Sequence, residues 1–261
     1  MSRTMRIRKR RANRGPDPHY LMNFLENFSR SAKLMHSTLR EFRSKDNLIQ
    51  EAIRQYIIGM TTCLETFYRD LYVALLEADE ALFKLLFDGD KRGARLARMQ
   101  AIEPDKISLR ELAAELVKFQ NLSGIDHALS EVLRPVGYVA ALTACSFRCS
   151  LPARPAVNEF RLWPDWQRAF SSIFDQRHEF VHDANRACTV QHREIAELET
   201  VALIVPQLTT FLVADQLGPV APLLISNHSV PAILLIDDVI AEDWELASDG
   251  DDNQPTQAPD T

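Results

Sequence analysis

Apolar side chains recur at helical spacing along the chain, most regularly between about Asn47 and Glu77. Within this segment, neighbouring apolar positions are separated by three or four residues. An α-helix turns once in about 3.6 residues, so this spacing puts the apolar side chains on one face of a single helix about 45 Å long. The positions are Ile49, Ile53, Tyr56, Met60, Leu64, Phe67, Leu71 and Leu75.

A second apolar stripe precedes this helix, between about Tyr20 and Arg43, and only a short polar link separates the two. Two long helices joined in this way are predicted to form an antiparallel pair. The scarcity of glycine, 8 residues in 261, argues against a chain rich in β-turns. The predicted fold class is therefore all-α, a helical bundle of which about three-quarters or more is helical. Further helices are predicted at about 108–120, 126–133, 164–182 and 189–214.

Three segments call for separate predictions. Ser108 and Glu111 have the spacing of a capping box, which predicts that a helix begins there. Residues 135–162 begin at a proline and contain two more, Pro152 and Pro155, and they are predicted to be a loop or short irregular helices. Residues 230–244 are compatible with a short strand or with an additional helix, and the sequence leaves both open.

The composition is that of a globular protein, with 46% hydrophobic and 25% charged residues. No apolar run reaches the roughly 20 residues of a membrane-spanning helix, and no secretory leader is recognisable. The four cysteines lack the spacing of a disulfide framework. We therefore expect a cytoplasmic protein that has no membrane partner and keeps its thiols reduced.

Charge is distributed unevenly along the chain. Residues 1–14 carry a charge of +7 and residues 237–261 carry −9, whereas the whole chain carries −6. We therefore divide the chain into a flexible basic arm at 1–19, a helical domain at 20–215, and a C-terminal extension at 216–261 that ends in a disordered acidic tail. The arm would bind RNA phosphates by releasing counterions, although a solvated terminus explains it as well. Its candidate RNA-binding residues are Arg6, Arg8, Lys9, Arg10 and Arg11.

Candidate chemistry is concentrated in the segment 175–183, which reads DQRHEFVHD. His178, Glu179 and His182 form the HExxH pattern of zinc hydrolases, in which two histidines one helical turn apart bind zinc and the glutamate activates water. The glycine and the third histidine of the metzincin continuation are both replaced in this chain. A zinc hydrolase therefore stays an alternative that lacks a third ligand.

The same segment contains Arg177 and His182 at the spacing RX4H, which is common by chance, so its surroundings must decide its meaning. An aromatic-rich helical run at 60–72 precedes it, and a closing helix that begins at Thr189 follows it after a short polar loop. In the RHxxVHD run and these two flanking features the chain resembles the HEPN (higher eukaryotes and prokaryotes nucleotide-binding) superfamily. The resemblance is to its RiboL-PSP-like and related prokaryotic ribonucleases.

The resemblance implies a helical bundle that forms a homodimer, with the motif at the two-fold axis. It also implies a metal-independent endoribonuclease without a cofactor, which acts as a toxin or an antiviral-defence effector. RNA would be the substrate, and an antitoxin or regulatory protein would be a further partner. In one branch of the family a tyrosine two residues after the motif histidine is modified to silence the enzyme. This chain has Ala184 at that position, so we do not expect that mode of control.

The chemistry of the segment can also be argued from the residues. Arg177 lies seven residues after Phe170 on an otherwise apolar stripe, where an arginine is costly unless it is paired or lies at an interface. At about 100° per residue, His178 and His182 lie on the same broad side of the helix as Arg177. His182 would transfer protons at a ribose 2′-hydroxyl or a leaving 5′-oxygen, and Arg177 would bind the phosphate.

Two acids, Glu65 and Asp183, are auxiliary candidates together with His178. We expect Glu65 to orient Arg177 or His178 through a charge-assisted hydrogen bond. Two further interpretations stay open. In one, the protein is a non-catalytic HEPN module that binds nucleotide, RNA or protein. In the other, Arg177 and the two histidines merely pair with these acids in a buried network.

Overall fold

Helices dominate the architecture. The computed structural model describes residues 20–42, 46–87, 91–102, 108–133, 136–152, 154–183, 188, 190–217 and 230–241. Of these residues 77% are helical, and the sheet found among them has only two strands. The all-α class predicted from the hydrophobic periodicity is thereby confirmed. The basic arm and most of the acidic tail lie outside the described residues.

Ten helices and two strands follow one another along the described residues. In chain order they are α1 (Tyr20–Glu41), α2 (Asp46–Ala78), α3 (Glu80–Phe87), α4 (Lys91–Ile102), α5 (Leu109–Ala114), α6 (Leu122–Val132), α7 (Tyr138–Ala144), β1 (Phe147–Leu151), β2 (Arg154–Phe160), α8 (Trp166–His182), α9 (His192–Leu217) and α10 (Ile236–Ile240).

α1 and α2 pack along their apolar stripes. The rings of Tyr20 and Phe24 lie 5.7 and 5.4 Å from the ring of Phe67, and the ring of Phe28 lies 6.4 Å from that of Tyr56. Later residues of α1 thus meet earlier residues of α2. All five rings are buried, and aromatic pairs of this kind contribute about 0.5–1.5 kcal/mol each beyond the burial of their area.

α8, which carries the candidate motif, packs against α2 and α9. The ring of Phe170 lies 6.2 Å from that of Tyr68 on α2. The hydroxyl of Tyr68 lies 2.9 Å from that of Tyr138 on α7, which in turn lies 2.7 Å from the hydroxyl of Thr209 on α9. These buried hydroxyls satisfy one another. They therefore tie α2, α7 and α9 together beside the N-terminal half of α8.

The helix predicted at 108–120 is shorter than expected. Its capping box is present, with hydrogen bonds of 3.2 Å from the Glu111 N–H to the Ser108 hydroxyl and 3.0 Å from the Ser108 N–H to the Glu111 carboxylate. α5 nevertheless ends at Ala114, because the backbone changes there to tighter turns in which the Leu116 N–H donates to the Ala113 carbonyl at 2.9 Å. The other predicted helices are present, with ends shifted by at most four residues.

Residues 135–162 differ from the prediction. They contain one short helix, α7, but also an antiparallel pair of strands in which Phe147 lies opposite Phe160. Phe147 is buried and Arg148 is exposed, the start of the alternation expected for a half-buried strand. The prolines hid this signal, because Pro152 falls in the turn between β1 and β2 rather than in an irregular loop.

Residues 230–241 of the C-terminal extension belong to the packed structure, in which an isolated β-bridge precedes the helix that was one of the two predicted alternatives. Ala232 forms a β-bridge with Ser150, and α10 follows it. The buried amide of Gln207 on α9 donates to the carbonyl of Leu234 at 3.0 Å and accepts from the Leu234 N–H at 2.9 Å. Gln207 thus attaches the extension to the bundle.

α9 supplies much of the core. Within its stretch Glu194–Gln216, an 18-residue window has a mean hydropathy of 1.4, which by length and composition lies in the range of a membrane-spanning helix. In the fold, 83% of that window is buried. The other helices and the extension therefore cover its apolar surface.

Candidate functional site

The candidate motif occupies the last turns of α8. Arg177 is half-buried, whereas His178, Glu179 and His182 are exposed. The helix ends at Asp183, whose N–H donates to the Glu179 carbonyl at 3.0 Å. The motif is therefore held by a helix whose opposite face is anchored in the core. The buried side chains of that face are Trp166, Ala169, Phe170, Ile173, Phe174 and Phe180.

The two imidazoles of the motif lie side by side at the surface. Their ring centroids are 4.3 Å apart and their planes are inclined at 56°. In the described part of the chain, no hydrogen bond or ion pair involves the side chain of Arg177, His178 or His182. This arrangement does not fit the interpretation as a buried network, and it leaves one guanidinium and two imidazoles free to meet a ligand.

Arg54 on α2 is a cation at the level of the motif that the sequence did not reveal. Its guanidinium carbon lies 5.5 Å from the centroid of the buried Phe180 ring, a cation–π contact. Its side chain is only 13% exposed, and its Nε lies 3.8 Å from the Glu51 carboxylate. The spacing of residues in the sequence does not indicate this contact, because only the packing of α2 against α8 brings Arg54 beside the motif helix.

Glu65, the predicted orienting acid, lies closer to the middle of α8. On the same face of α2, Thr61 donates to the Ile173 carbonyl at 3.5 Å, and Tyr68 packs still nearer the N-terminus of α8. Glu65 lies between these two positions, about one to two helical turns from Arg177. Glu65, Arg177 and the two motif histidines all belong to the described part of the chain. No hydrogen bond or ion pair joins Glu65 to any of the other three. The orienting role of Glu65 stays a prediction, and the packing puts Arg54 level with the motif instead.

Cys188, in the loop after α8, is buried near Arg54. Burial raises the pKa of its thiol, and the neighbouring Arg54 guanidinium opposes this shift without reversing it. Cys188 occupies the position at which a metzincin carries its third histidine. Since the thiolate is the form of cysteine that binds metals, a thiol held neutral is a weak substitute for that histidine.

The geometry gives the zinc interpretation no complete donor set. Among the described residues, no group of three or more His, Cys, Asp or Glu side chains converges as it would to hold a metal ion. A zinc ion on His178 and His182 would need its further ligand from a residue outside the described ranges or from a second copy of the chain.

The remaining candidates are an acid and the basic arm. Asp183 is exposed directly after His182. The arm residues Arg6, Arg8, Lys9, Arg10 and Arg11 lie outside the described residues, so their distance from the motif is not defined.

Comparisons with known proteins add no relative. No protein-family model matches the chain, and no curated protein or solved structure matches it either. The resemblance to the HEPN superfamily therefore rests on the sequence stretches around the motif, and function has to be argued from the site.

Proposed function

We propose that the protein is a metal-independent endoribonuclease of the HEPN type. The observation that carries the proposal is the accessibility of Arg177, His178 and His182. They share one side of α8, and among the described residues their side chains have no hydrogen-bond or ion-pair partner. A guanidinium binds phosphate through paired hydrogen bonds, and an imidazole transfers protons near neutral pH. The two functions that RNA cleavage requires are therefore combined on one rigid helix.

In the proposed reaction the ribose 2′-oxygen attacks the adjacent phosphorus, and the bond from phosphorus to the 5′-oxygen breaks. A neutral imidazole takes the 2′-hydroxyl proton, and a protonated imidazole gives a proton to the leaving 5′-oxygen. Arg177 offsets the negative charge that builds up on the phosphoryl oxygens in the transition state. The products are a 2′,3′-cyclic phosphate and a 5′-hydroxyl, and the scheme needs no metal ion or cofactor.

We place this reaction in a homodimer whose two α8 helices meet at their C-terminal ends. Val181 lies within the motif and is 49% exposed, and an apolar side chain beside the reacting groups suits an interface. Two copies would bring two arginines and up to four histidines into one cleft, which supplies the base and the acid from different imidazoles.

The proposal also covers the first two helices, the basic N-terminal residues, and the location and control of the protein. α1 and α2 correspond to the long antiparallel pair of a HEPN bundle, and the basic residues of 1–19 add phosphate contacts. The protein acts in the cytoplasm as a toxin or defence effector, under the control of an antitoxin or another regulatory protein.

Substitutions in the motif test the proposal. His182→Ala and Arg177→Ala should each lower RNA cleavage by about 10²–10⁴-fold, because each removes a group that acts in the transition state. His178→Ala should have a smaller effect. The measurement is cleavage of total RNA by the purified protein, with end-group analysis for the cyclic phosphate. Circular dichroism and thermal unfolding establish that the variants keep the wild-type fold. Unchanged cleavage by His182→Ala would contradict the mechanism.

A further variant, Glu179→Gln, separates the two enzyme classes. Glu179 is exposed at the edge of the motif, and a ribonuclease of the proposed kind should keep its activity without this carboxylate. A zinc hydrolase would be crippled, since there the carboxylate activates the metal-bound water. Loss of cleavage in Glu179→Gln together with inhibition by EDTA would favour zinc. RNA binding without any cleavage by the wild type would favour the non-catalytic module.

A further inference from the structure

A second candidate binding site lies away from the motif. A cavity of about 620 Å³ opens between α4, most of the length of α6 and the segment that joins α5 to α6. This volume is within the roughly 300–1,000 Å³ range of small-molecule sites. Apolar side chains of Phe87, Leu116 and Ala128 contribute to its lining, and no residue of the motif segment 175–183 does.

The lining of this cavity is strongly cationic. Lys91, Arg92 and Arg95 reach it from one side of α4, and Lys118 reaches it from the segment before α6. Among the described residues that line the cavity, Glu131 is the only acid. Four cations and one carboxylate give the lining a formal charge of +3 with its histidine neutral, in a chain whose total charge is −6.

Within the described lining, the one carboxylate offsets only one of these positive charges. Both oxygens of Glu131 lie 3.0 Å from one terminal nitrogen of Arg92, so this acid is already engaged. Lys91, Arg95 and Lys118 have no acid within ion-pair distance anywhere in the described part of the chain. Three like charges around one cavity repel one another, and a bound anion relieves that repulsion.

The start of α6 adds to the same effect. Ser123 and Gly124 of its first turn line the cavity, and a helix N-terminus favours negative charge. A Cβ on Gly124 would lie 2.3 Å from the carbonyl oxygen of Lys118. Only glycine therefore allows the chain at Lys118 to lie this close to the first turn. The same close contact places the backbone of Lys118, a lining residue of the cavity, beside the first turn of α6.

We propose that this cavity binds a free phosphorylated small molecule of mononucleotide size. Its phosphates would lie among Lys91, Arg95 and Lys118, and its less polar part would contact Phe87 and Leu116. An RNA strand presents the same phosphate chemistry. The volume favours the free nucleotide, because the cavity accommodates about one nucleotide rather than an extended strand. This inference is independent of the ribonuclease proposal, since the two sites share no residue.

The test is calorimetric titration of the full chain with ATP. The wild type should bind ATP saturably, with a single molecule per chain, and adenosine without phosphates should not displace it. The double variant Arg95→Glu/Lys118→Glu should weaken binding by about tenfold or more, because it reverses two of the phosphate contacts. The matched control is Arg98→Glu/Arg168→Glu, which changes the charge equally at exposed positions outside the cavity and should stay within about twofold of the wild type.

Three results would overturn the proposal: no saturable binding of ATP, full binding by Arg95→Glu/Lys118→Glu, or equal weakening in both double variants. A 2′-O-methyl RNA of about ten nucleotides separates the two sources of phosphate. If this RNA binds in a manner sensitive to Arg95→Glu/Lys118→Glu and ATP does not bind, the cavity is part of an RNA surface and the small-molecule proposal is wrong.

Discussion

A buried acid on α9 illustrates how single residues control the balance of charge in this fold. Glu199 is 3% exposed, and one of its oxygens lies 2.8 Å from Nε2 of His36 on α1. The hydrogen bond and the charge of Glu199 raise the pKa of His36, helped by Asp237 and opposed by partial burial and Arg40. Burial, with a smaller contribution from Glu199, also raises the pKa of Tyr56. An unpaired carboxylate at this depth would be costly, so His36 acts as its counter-ion.

This pairing predicts a pH dependence of stability. Because the pKa of His36 is raised from its ordinary value of 6.5 on folding, its stabilising effect is complete below about pH 6.5 and is lost as the pH rises through the folded-state pKa. His36→Gln can still donate a hydrogen bond but carries no charge. The difference in Tm between the wild type and His36→Gln should therefore be largest near about pH 5.5 and shrink towards about pH 8.5. A difference that stays constant over this range would show that the charge of His36 does not contribute.

At the residue scale, the sequence predicted those side-chain contacts that helix geometry alone determines. Residues four apart lie on the same face of a helix, so the proximity of His178 and His182 follows from their spacing. The contact between Arg54 and Phe180 could not be predicted in this way. It depends on how α2 packs against α8, and no local pattern encodes that register. For the same reason the sequence could not establish the partnership of Glu65 with Arg177, which stays a prediction.

At the scale of elements, the helices were predictable because hydrophobic periodicity is a local property of the chain. The two strands were not, because a short half-buried hairpin carries a weak signal and its prolines suggest irregular structure. The role of residues 230–241 depends on contacts with distant elements. Gln207 on α9 bonds both backbone groups of Leu234, and Ser29 on α1 donates to the Val239 carbonyl at 2.6 Å.

Gln207 is therefore predicted to hold the C-terminal extension in place. Gln207→Leu keeps the size of the side chain but leaves the N–H and carbonyl of buried Leu234 without their partner. Each such group costs about 1–3 kcal/mol, so the free energy of unfolding should fall by about 2 kcal/mol or more. Denaturant unfolding measures that loss, and hydrogen exchange should become faster over residues 230–241. Gln216→Leu, at an exposed position of the same helix, is the control and should change neither quantity. Unaltered exchange over 230–241 in Gln207→Leu would show that other contacts hold the extension.

At the scale of the whole molecule, the two candidate sites lie on different parts of the bundle. The motif ends α8, whereas the cationic cavity is formed by α4, α6 and the segment before α6. The cavity was invisible in the sequence, since Arg95 and Lys118 are far apart in the chain and the overall charge is negative. On one copy of the chain His178 and His182 are exposed and Arg177 is half-buried. In the proposed dimer, the two-fold axis places Arg177 of one copy beside His182 of the other.

A mixing experiment tests whether the site is shared between two copies. The proposed dimer should have about twice the chain mass of 29.7 kDa by light scattering. Arg177→Ala and His182→Ala homodimers should each be nearly inactive. After the two variants are mixed and allowed to exchange subunits, each mixed dimer contains one intact Arg177 and one intact His182 on opposite copies. If both copies contribute to one cleft, the mixture should recover measurable RNA cleavage.

The exposed valine of the motif provides the control for this prediction. Val181→Glu introduces a charge that the two-fold axis repeats, and its burial at the interface should shift the dimer towards monomer and lower cleavage in parallel. Leu85→Glu makes the same kind of change at a side chain that is 64% exposed on α3, outside the motif, and should leave both mass and cleavage unchanged. Full cleavage by a monomeric Val181→Glu protein would contradict the shared cleft, because a single α8 would then suffice for the reaction. Recovery of activity on mixing, together with its loss in Val181→Glu, would instead require that Arg177 of one copy acts beside His182 of the other.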